Sequence, residues 1–344
     1  MARRDWILVA LLLVAIPAAD AIWWRVAIGR VEAGFEAWAA RARSAGWTVT
    51  NSRMTPHGWP LTATVEVSDL AIQGGADYAF GGIRWHADSV ALRVPLIRPR
   101  SLDIELDGDQ RFRIGNLPET VLTAARLLAV YSLVSSDQTA ELELLADRPQ
   151  WTWPAGTLGA NRIQCQLQIP GEGQSTDTDR AFSLNIEGVA LPVSIRWPLG
   201  GTIAAIAADG AVAGPIPKLQ APEPWANAWR DGGGSVQLQR LAVDWGPLRL
   251  TGSATLALDE QLQPMGAGTS HVAGYEATLD ALAAGGTLSH SAATAAKAVL
   301  SLLADAPADG AGADVDVPLT LQYRTLSMRQ VPLVRLPEID WSGQ

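Results

Sequence analysis

Residues 163–169 read Ile-Gln-Cys-Gln-Leu-Gln-Ile. Every second side chain is apolar, and the glutamines fill the gaps. Successive side chains of an extended chain leave opposite faces, so Ile163, Cys165, Leu167 and Ile169 share one face and Gln164, Gln166 and Gln168 the other. A strand of this kind is half-buried and belongs to an antiparallel sheet with one dry face and one wet face.

The same period recurs on both sides of this segment. Leu61 to Val67 alternates, as does Leu102 to Asp107 with acidic residues at Asp103, Glu105 and Asp107. Phe182 to Glu187, Val193 to Trp197, Val315 to Pro318 and Leu319 to Gln322 read as further strands. Ile83 to Ala87 alternates too, but the frame slips at Ser89 before Val90, Leu92 and Val94, which predicts one extra residue in the ladder, a β-bulge. Helical signals are fewer. An apolar run from Glu119 to Leu133 behind Pro118 predicts a helix, and Trp225 to Arg230 a short one. Tyr275 to Ala284 and Ser289 to Leu303 predict a helix pair joined at Gly285-Gly286, the second packing through Leu288, Ala292, Ala295, Val299 and Leu302. Gly171 to Arg180 and Asp305 to Asp314 carry no periodicity and read as loops; Asp305, Asp309 and Asp314 lack the spacing of a calcium loop.

The N-terminus has its own pattern. Trp6 to Trp24 is a nineteen-residue apolar stretch, interrupted by Pro17 and Asp20, with Leu11, Leu12 and Leu13 near its middle. As a helix it measures about 28 Å, close to the roughly 30 Å of a bilayer core. Trp6 at one end and Trp23 and Trp24 at the other match the aromatic belts of a spanning helix. Ala19-Asp20-Ala21 also has the small-x-small form of a signal cleavage site, so a cleaved leader is the competing expectation. Val31, Phe35, Trp38, Ala42 and Ala45 then define one face of an amphipathic helix ending at Gly46. The chain thus divides into residues 1–45, an anchor with an amphipathic continuation, and residues 46–344, an exported β-rich domain.

Composition narrows the chemistry. The 344 residues include 14 Trp, 4 His and 1 Cys, and the net charge is -9. One Cys forms no intrachain disulfide, and an acidic chain is a poor partner for nucleic acid. No phosphate-binding, dinucleotide-binding, zinc-protease or nucleophile-elbow motif occurs. Ser270, His271 and Asp280 can be written down as a triad, but nothing in their spacing assembles one. His57 and His86 read as surface histidines, and Cys165 as a buried, inert thiol. The Asp103, Glu105, Asp107 row reads as a solvated, charged sheet edge. No cofactor or metal is expected, and no enzymatic activity.

Tryptophan and proline recur together at Trp59-Pro60-Leu61, Trp197-Pro198-Leu199 and Trp245-Gly246-Pro247-Leu248, with a partial copy at Trp153-Pro154. Either a strand unit is quasi-repeated or the coincidence reflects a chain rich in both residues; in either case the tryptophans read as core plugs at strand ends. An ordered set of segments carries a resemblance. It comprises the N-terminal helix, Gly46-Trp47, Gly58-Trp59-Pro60, Trp225 to Gly234 with the strand Val236 to Trp245, Gly246-Pro247-Leu248, Val317 to Leu321, Val331-Pro332-Leu333 and Leu336-Pro337. Together they resemble the alphaproteobacterial family known as domain of unknown function 2125, with Gly-Trp-Pro at 58–60 where that family commonly has Gly-Phe-Pro. The resemblance implies no catalytic residue. A strand-rich body behind an N-terminal anchor is more distantly similar to AsmA-like envelope proteins, which implies a role in outer-membrane biogenesis or lipid movement.

The resulting expectation is a mainly β (α+β) protein. It has an elongated, curved antiparallel sheet, an N-terminal anchor helix and a helix pair near residues 275–303. It would sit as a single-pass protein in the inner membrane, its bulk in the periplasm, and bind or shield a lipid or another apolar ligand. The alternative expectation is a scaffold that binds other envelope proteins; an unrecognised hydrolase ranks third.

Overall fold

The computed structural model describes residues 2–74, 82–97, 100–115, 117–133, 140–169, 180–214, 222–303, 315–328 and 331–341; for residues 2–12, 14, 222, 302–303 and 331–334 it describes the backbone alone. The expected loop 171–179, the acidic residues Asp305, Asp309 and Asp314, and the side chains of Trp6, Leu11, Leu12, Leu302, Val331, Pro332 and Leu333 therefore lie outside what is described.

One antiparallel sheet of nineteen strands forms the body, bearing out the mainly β expectation. In chain order the strands are β1 (Thr48–Thr50), β2 (Arg53–His57), β3 (Thr62–Gly74), β4 (Ile83–Pro95), β5 (Ser101–Ile114), β6 (Thr120–Thr123), β7 (Arg126–Leu133), β8 (Ala140–Asp147), β9 (Gln150–Trp153), β10 (Gly156–Gly159) and β11 (Arg162–Ile169). There follow β12 (Arg180–Ala190), β13 (Thr202–Ala213), β14 (Ser235–Trp245), β15 (Leu248–Leu258), β16 (Pro264–Ala273), β17 (Val315–Gln322), β18 (Thr325–Met328) and β19 (Val331–Arg335). Four helices accompany them: α1 (Ala2–Ser44), α2 (Pro222–Asp231), α3 (Tyr275–Ala284) and α4 (His290–Leu303).

The topology is a meander in which each course of chain pairs with the next. β1 and β2 are two halves of one kinked course, because both pair with β3. β6 with β7, β8 with β9 and β10 with β11 are likewise halves of kinked courses. Backbone hydrogen bonds hold these three kinks together: Ala125 donates to Asp147, Arg148 to Asn161 and Asn161 to Glu187, at 2.8–2.9 Å. The nineteen strands are thus fifteen courses. At roughly 4.8 Å per neighbour the sheet measures on the order of 65 Å along its hydrogen-bonding direction.

Several local expectations hold. The ladder is irregular between Ala87 and Ser89, where the frame slip falls, and Gly108 lies opposite Asp88 with φ +75°. The helix pair α3–α4 is present, with Gly285 closing α3. Gly46 adopts φ +87° beyond α1, while Gly46 N–H donates to Arg43 and Trp47 N–H to Ala42. That pair of bonds is the Schellman arrangement for ending a helix.

Other expectations are corrected. Residues 119–133 form β6 and β7, not a helix. Leu127, Leu128, Ala129, Val130 and Tyr131 are apolar on both faces, which hides the period of two, and pairing with β5 and β8 decides the conformation. Residues 193–197 form a turn rather than a strand: Pro192 and Pro198 bracket them, Ile195 N–H donates to Pro192, and Val193 is fully exposed. The packed face of α1 runs through Ile28, Val31, Phe35, Ala39 and Ala42, so Ala39 takes the place expected for Trp38. On α4, Ala293 is buried while Ala292, Ala295 and Val299 are exposed; an Ala-rich helix does not encode which face packs. The Asp103, Glu105, Asp107 row lies on β5, which is paired on both sides, so it is not an edge.

Core formation is concentrated where helices meet the sheet. α1 runs alongside β3 in the same direction. At one end Trp24 Nε1 donates to the Thr62 carbonyl at 2.9 Å, and at the other the Arg43 guanidinium donates to the Val49 carbonyl at 2.9 and 3.2 Å. Between them Ile28, Phe35 and Ala39 pack on Ala63, Val65, Val67 and Leu70. Residues 24–42 are thus part of the core of the β-rich body. A second cluster joins Tyr275 of α3 to Val315, Val317 and Met328, with Leu279 and Leu300 packed against it.

Candidate functional site

Strand register lets the two faces of the sheet be followed from course to course, because directly paired residues point the same way. One face begins with Val65 and Val67 on β3, then Leu92 and Val90 on β4, and Ile104 and Leu106 on β5. It continues through Ala129 and Tyr131 on β7, Leu144 and Leu142 on β8, and Cys165 and Leu167 on β11. Leu184 and Phe182 on β12 carry it to Ala208 and Gly210 on β13, then to Leu241 and Leu238 on β14. Gly252 and Ala254 on β15, Ser270 and Gly268 on β16, and Val317 and Leu319 on β17 complete it. The side chains on this path are nearly all apolar.

The opposite face is polar along much of the same path. Its ion pairs include Arg93 with Glu105 at 3.0 Å, Arg162 with Asp147 at 2.9 Å and Arg240 with Asp209 at 2.6 Å. A hydrogen bond from Ser183 and the charge of Arg240 hold the Asp209 carboxyl below the usual carboxylate range. Hydrogen bonding and charge attraction from Asp147 keep the Arg162 guanidinium protonated still more firmly than usual.

The apolar face is hollow in two places. Beside α1 a cleft of about 690 Å³ is walled by Val26, Phe35 and Trp38 of the helix and by Leu92, Ile104 and Tyr131 of the sheet. Its volume falls in the range of ligand pockets. Trp38, which sequence periodicity placed in the core, instead lines this cleft, 5.7 Å from the Phe35 ring and 40% exposed. Near the other end a trough of about 290 Å³ lies among Leu238, Leu241, Leu250, Leu256, Leu319 and Leu326. It is hollow because residues 252, 266 and 268 are glycines; a Cβ on Gly266 would meet the Thr255 carbonyl, and one on Gly268 the Ser253 carbonyl.

Between these hollows lie β8, β11, β12 and β13. Among the described residues the principal helix contacts are those of α1 with β1, β3 and β4, of α2 and α3 with β15, and of α4 with β17. Among the described residues the middle courses have no principal helix contact, and Leu144 there is 41% exposed. Cys165 faces this open stretch. It is half-buried rather than buried, and desolvation pushes its thiol pKa up.

The groups considered for catalysis do not converge. Ser270 and His271 are adjacent in β16 and therefore point to opposite faces. Ser270 Oγ donates to the Val317 carbonyl on the apolar side, whereas His271 Nδ1 lies 2.9 Å from Asp316 on the polar side. Asp280 pairs with Lys297 on α4. His57 ends β2, exposed, and His86 sits on β4 beside Asp88. Among the described residues no three His, Cys, Asp or Glu side chains gather as metal ligands.

The remaining residues singled out by sequence occupy the borders of the sheet. Gly58, Trp59 and Pro60 form the turn from β2 to β3; Gly58 has φ +96°, and a Cβ there would press on the Thr62 carbonyl. Trp59 is half exposed and so is not a core plug. Trp245, Gly246 and Pro247 form the turn from β14 to β15 at the opposite border. Trp245 Nε1 donates to the Gly200 carbonyl at 2.8 Å, and its ring lies 6.1 Å from Trp197. Gly246 leaves room for the Leu199 carbonyl. The two similar segments at 197–199 and 245–248 therefore pack on each other, while Gly58-Trp59-Pro60 lies across the sheet from them. Pro332 sits in β19 opposite Ser327, and Pro337 is exposed after it. Leu13 and Trp23 are exposed on α1, and Trp24 packs against the sheet core. Among the described residues no helix is long and apolar enough to cross a membrane.

A family model described as "Uncharacterized protein conserved in bacteria (DUF2125)" matches residues 24–337. No curated protein and no solved structure matches the chain.

Proposed function

We propose, from the premise that the chain belongs to the DUF2125 family, that it is a membrane-anchored periplasmic protein that shields the acyl part of a lipid on the apolar face of its sheet. The observation that carries this reading is the single apolar face that register joins from β3 to β17, hollowed at both ends and, among the described residues, without a principal helix contact between. Soluble proteins seldom leave a contiguous apolar surface of this extent open to water, and a bound hydrocarbon would remove that surface from water at about 25 cal/mol per Å². The anchor rests on the apolar run from Trp6 to Trp24 and on the exposure of Leu13, Ile16, Ile22 and Trp23 along α1. The scattered positions of the serine, histidine and carboxylate groups support binding rather than catalysis.

The test is native mass spectrometry of the full chain released from membranes in mild detergent. Retained phospholipid is expected, with the retained fraction lowered by filling the cleft through Gly34→Phe, since Gly34 lines it with open space beside its Cα. A chain that retains no lipid before and after this change would sink the reading in favour of a protein scaffold.

A further inference from the structure

The direction of α1 fixes which border of the sheet it leaves. Trp24 meets Thr62 at the start of β3, so residues before 24 project beyond the border formed by the β2–β3 turn, the β4–β5 turn and the end of β7. Large apolar side chains are exposed on that border. Ile97 is 83% exposed, Leu61 67% and Trp59 50%, beside Ile22 and Trp23 where α1 emerges. Trp59 shares a surface hollow with Ile22 and Arg25 on one side of the helix. On the other side Trp23, Leu96, Arg100 and Leu133 line the large cleft, so the cleft opens on this same border. Arg25 and Arg100 are exposed here, and the Arg30 guanidinium lies 5.9 Å from the Trp23 ring; Asp20 stands one turn further out on α1. Tryptophan, aliphatic and arginine side chains together are the composition that settles in a bilayer interface, where arginine meets anionic headgroups. The protein as a whole carries a net charge of -9, so an anionic surface repels most of it and accepts this border.

We infer that this border is a bilayer-seated rim: the turn Gly58–Leu61, together with Leu96, Ile97 and Arg100, inserts into the headgroup layer of an anionic phospholipid membrane and holds the mouth of the 690 Å³ cleft against it. The inference deepens the proposed function and rests on it. It adds the site and the direction of lipid entry: acyl chains pass from the membrane between Trp23 and Leu133 without crossing water.

The experiment uses the full chain in a Cys165→Ser background, reconstituted into vesicles of phosphatidylglycerol and phosphatidylethanolamine. A nitroxide is attached at Leu61→Cys, Ile97→Cys or, on the far border, Leu117→Cys; all three side chains are exposed, so none of these labels disturbs the core. Labels at 61 and 97 are expected to collide preferentially with oxygen, and the label at 117 with a water-soluble nickel chelate. Nickel-accessible labels at 61 and 97 on a chain that sediments with the vesicles would overturn the rim while leaving the anchor standing. A chain that fails to sediment with them would overturn the anchor and the rim together. A second readout follows transfer of fluorescent phosphatidylglycerol from donor vesicles to the chain. Leu61→Asp with Ile97→Asp is expected to slow loading about tenfold, or about 1.4 kcal/mol, with the far-border change Leu117→Asp as the control. Equal loading by both variants would also overturn the rim.

Discussion

The covered ends of the apolar face and its open middle are built from the same alternating strands, yet they are held by different means. At the β3 end, α1 lays Ile28, Phe35 and Ala39 on Val65 and Val67, and all five are buried. At the β17 end, α3 and α4 do the same over Val315 and Val317. In the middle, Leu144, Cys165 and Leu184 stand on equivalent positions of the pleat without one of the principal helix contacts found among the described residues; Leu144 is exposed and the other two are half-buried. The difference shows that alternation makes a dry-capable face, while dryness itself depends on a second layer. Where no helix layer is described, side chains of the same face stay partly exposed.

The sharpest way to break this contrast is a pair of truncations. Ile28→Ala, in the covered end, is expected to cost about 2–5 kcal/mol, because it deletes fully enclosed methyl groups. Leu144→Ala, in the open middle, is expected to cost about 1 kcal/mol or less, because much of its side chain already meets water. Denaturant unfolding of both variants measures the difference, and equal losses would mean that the middle is covered in solution. Next in size is Gly266→Ala. The trough near β16 exists because strand backbones approach where Cβ atoms are missing, so an added methyl is expected to cost about 1–3 kcal/mol in the same measurement. A smaller effect is expected at Cys165, which reports directly on the open stretch. Its raised pKa predicts slower alkylation than free cysteine near pH 8, and lipid on the face would slow it further. Removing lipid should therefore speed the reaction, and an unchanged rate would place the ligand elsewhere.

The smallest effect lies on the polar face. The carboxyl of Asp209 has a lowered pKa in the folded chain, so its stabilisation is present above the unfolded value of about 3.9 and is lost as pH falls through the folded value. Asp209→Asn should flatten the acid side of the Tm-against-pH curve slightly and leave its neutral region nearly unchanged. A variant curve that keeps the wild-type acid slope would show that Ser183 and Arg240 do not hold the carboxylate in solution.

Much of the sheet was legible residue by residue. Ile163 to Ile169 announces its two faces, and Ser89 announces a bulge, because both signals are local and periodic. The misreadings share a physical cause as well. Residues 127–131 are apolar on both faces, so their own pattern is compatible with helix or strand, and only β5 and β8 on either side settle the matter. Val193 to Trp197 alternates, but the two prolines beside it remove the donors and the extension that a ladder needs. Trp38 and Ala39 are neighbours on a helix with a broad apolar surface, and the small residue is the one that lets the helix approach the sheet. Of the candidate site, Cys165 on its apolar face and His86 on a polar position were readable from alternation. The cleft was not, because it is formed by residues 23–38 meeting residues 70–133, and no local period encodes that meeting.

By itself the sequence determined which side chains share a strand face, where the frame slips, where α1 ends at Gly46 and that no local motif assembles a reactive centre. Those are consequences of backbone geometry over a few residues. Only the tertiary structure decided that these faces join into one surface, that Trp38 and Trp23 wall a cleft, and that Trp59, Leu61 and Ile97 gather where α1 leaves the sheet. Such outcomes depend on strand order and register between distant segments, and a period of two is the same in every strand whichever neighbour it pairs with.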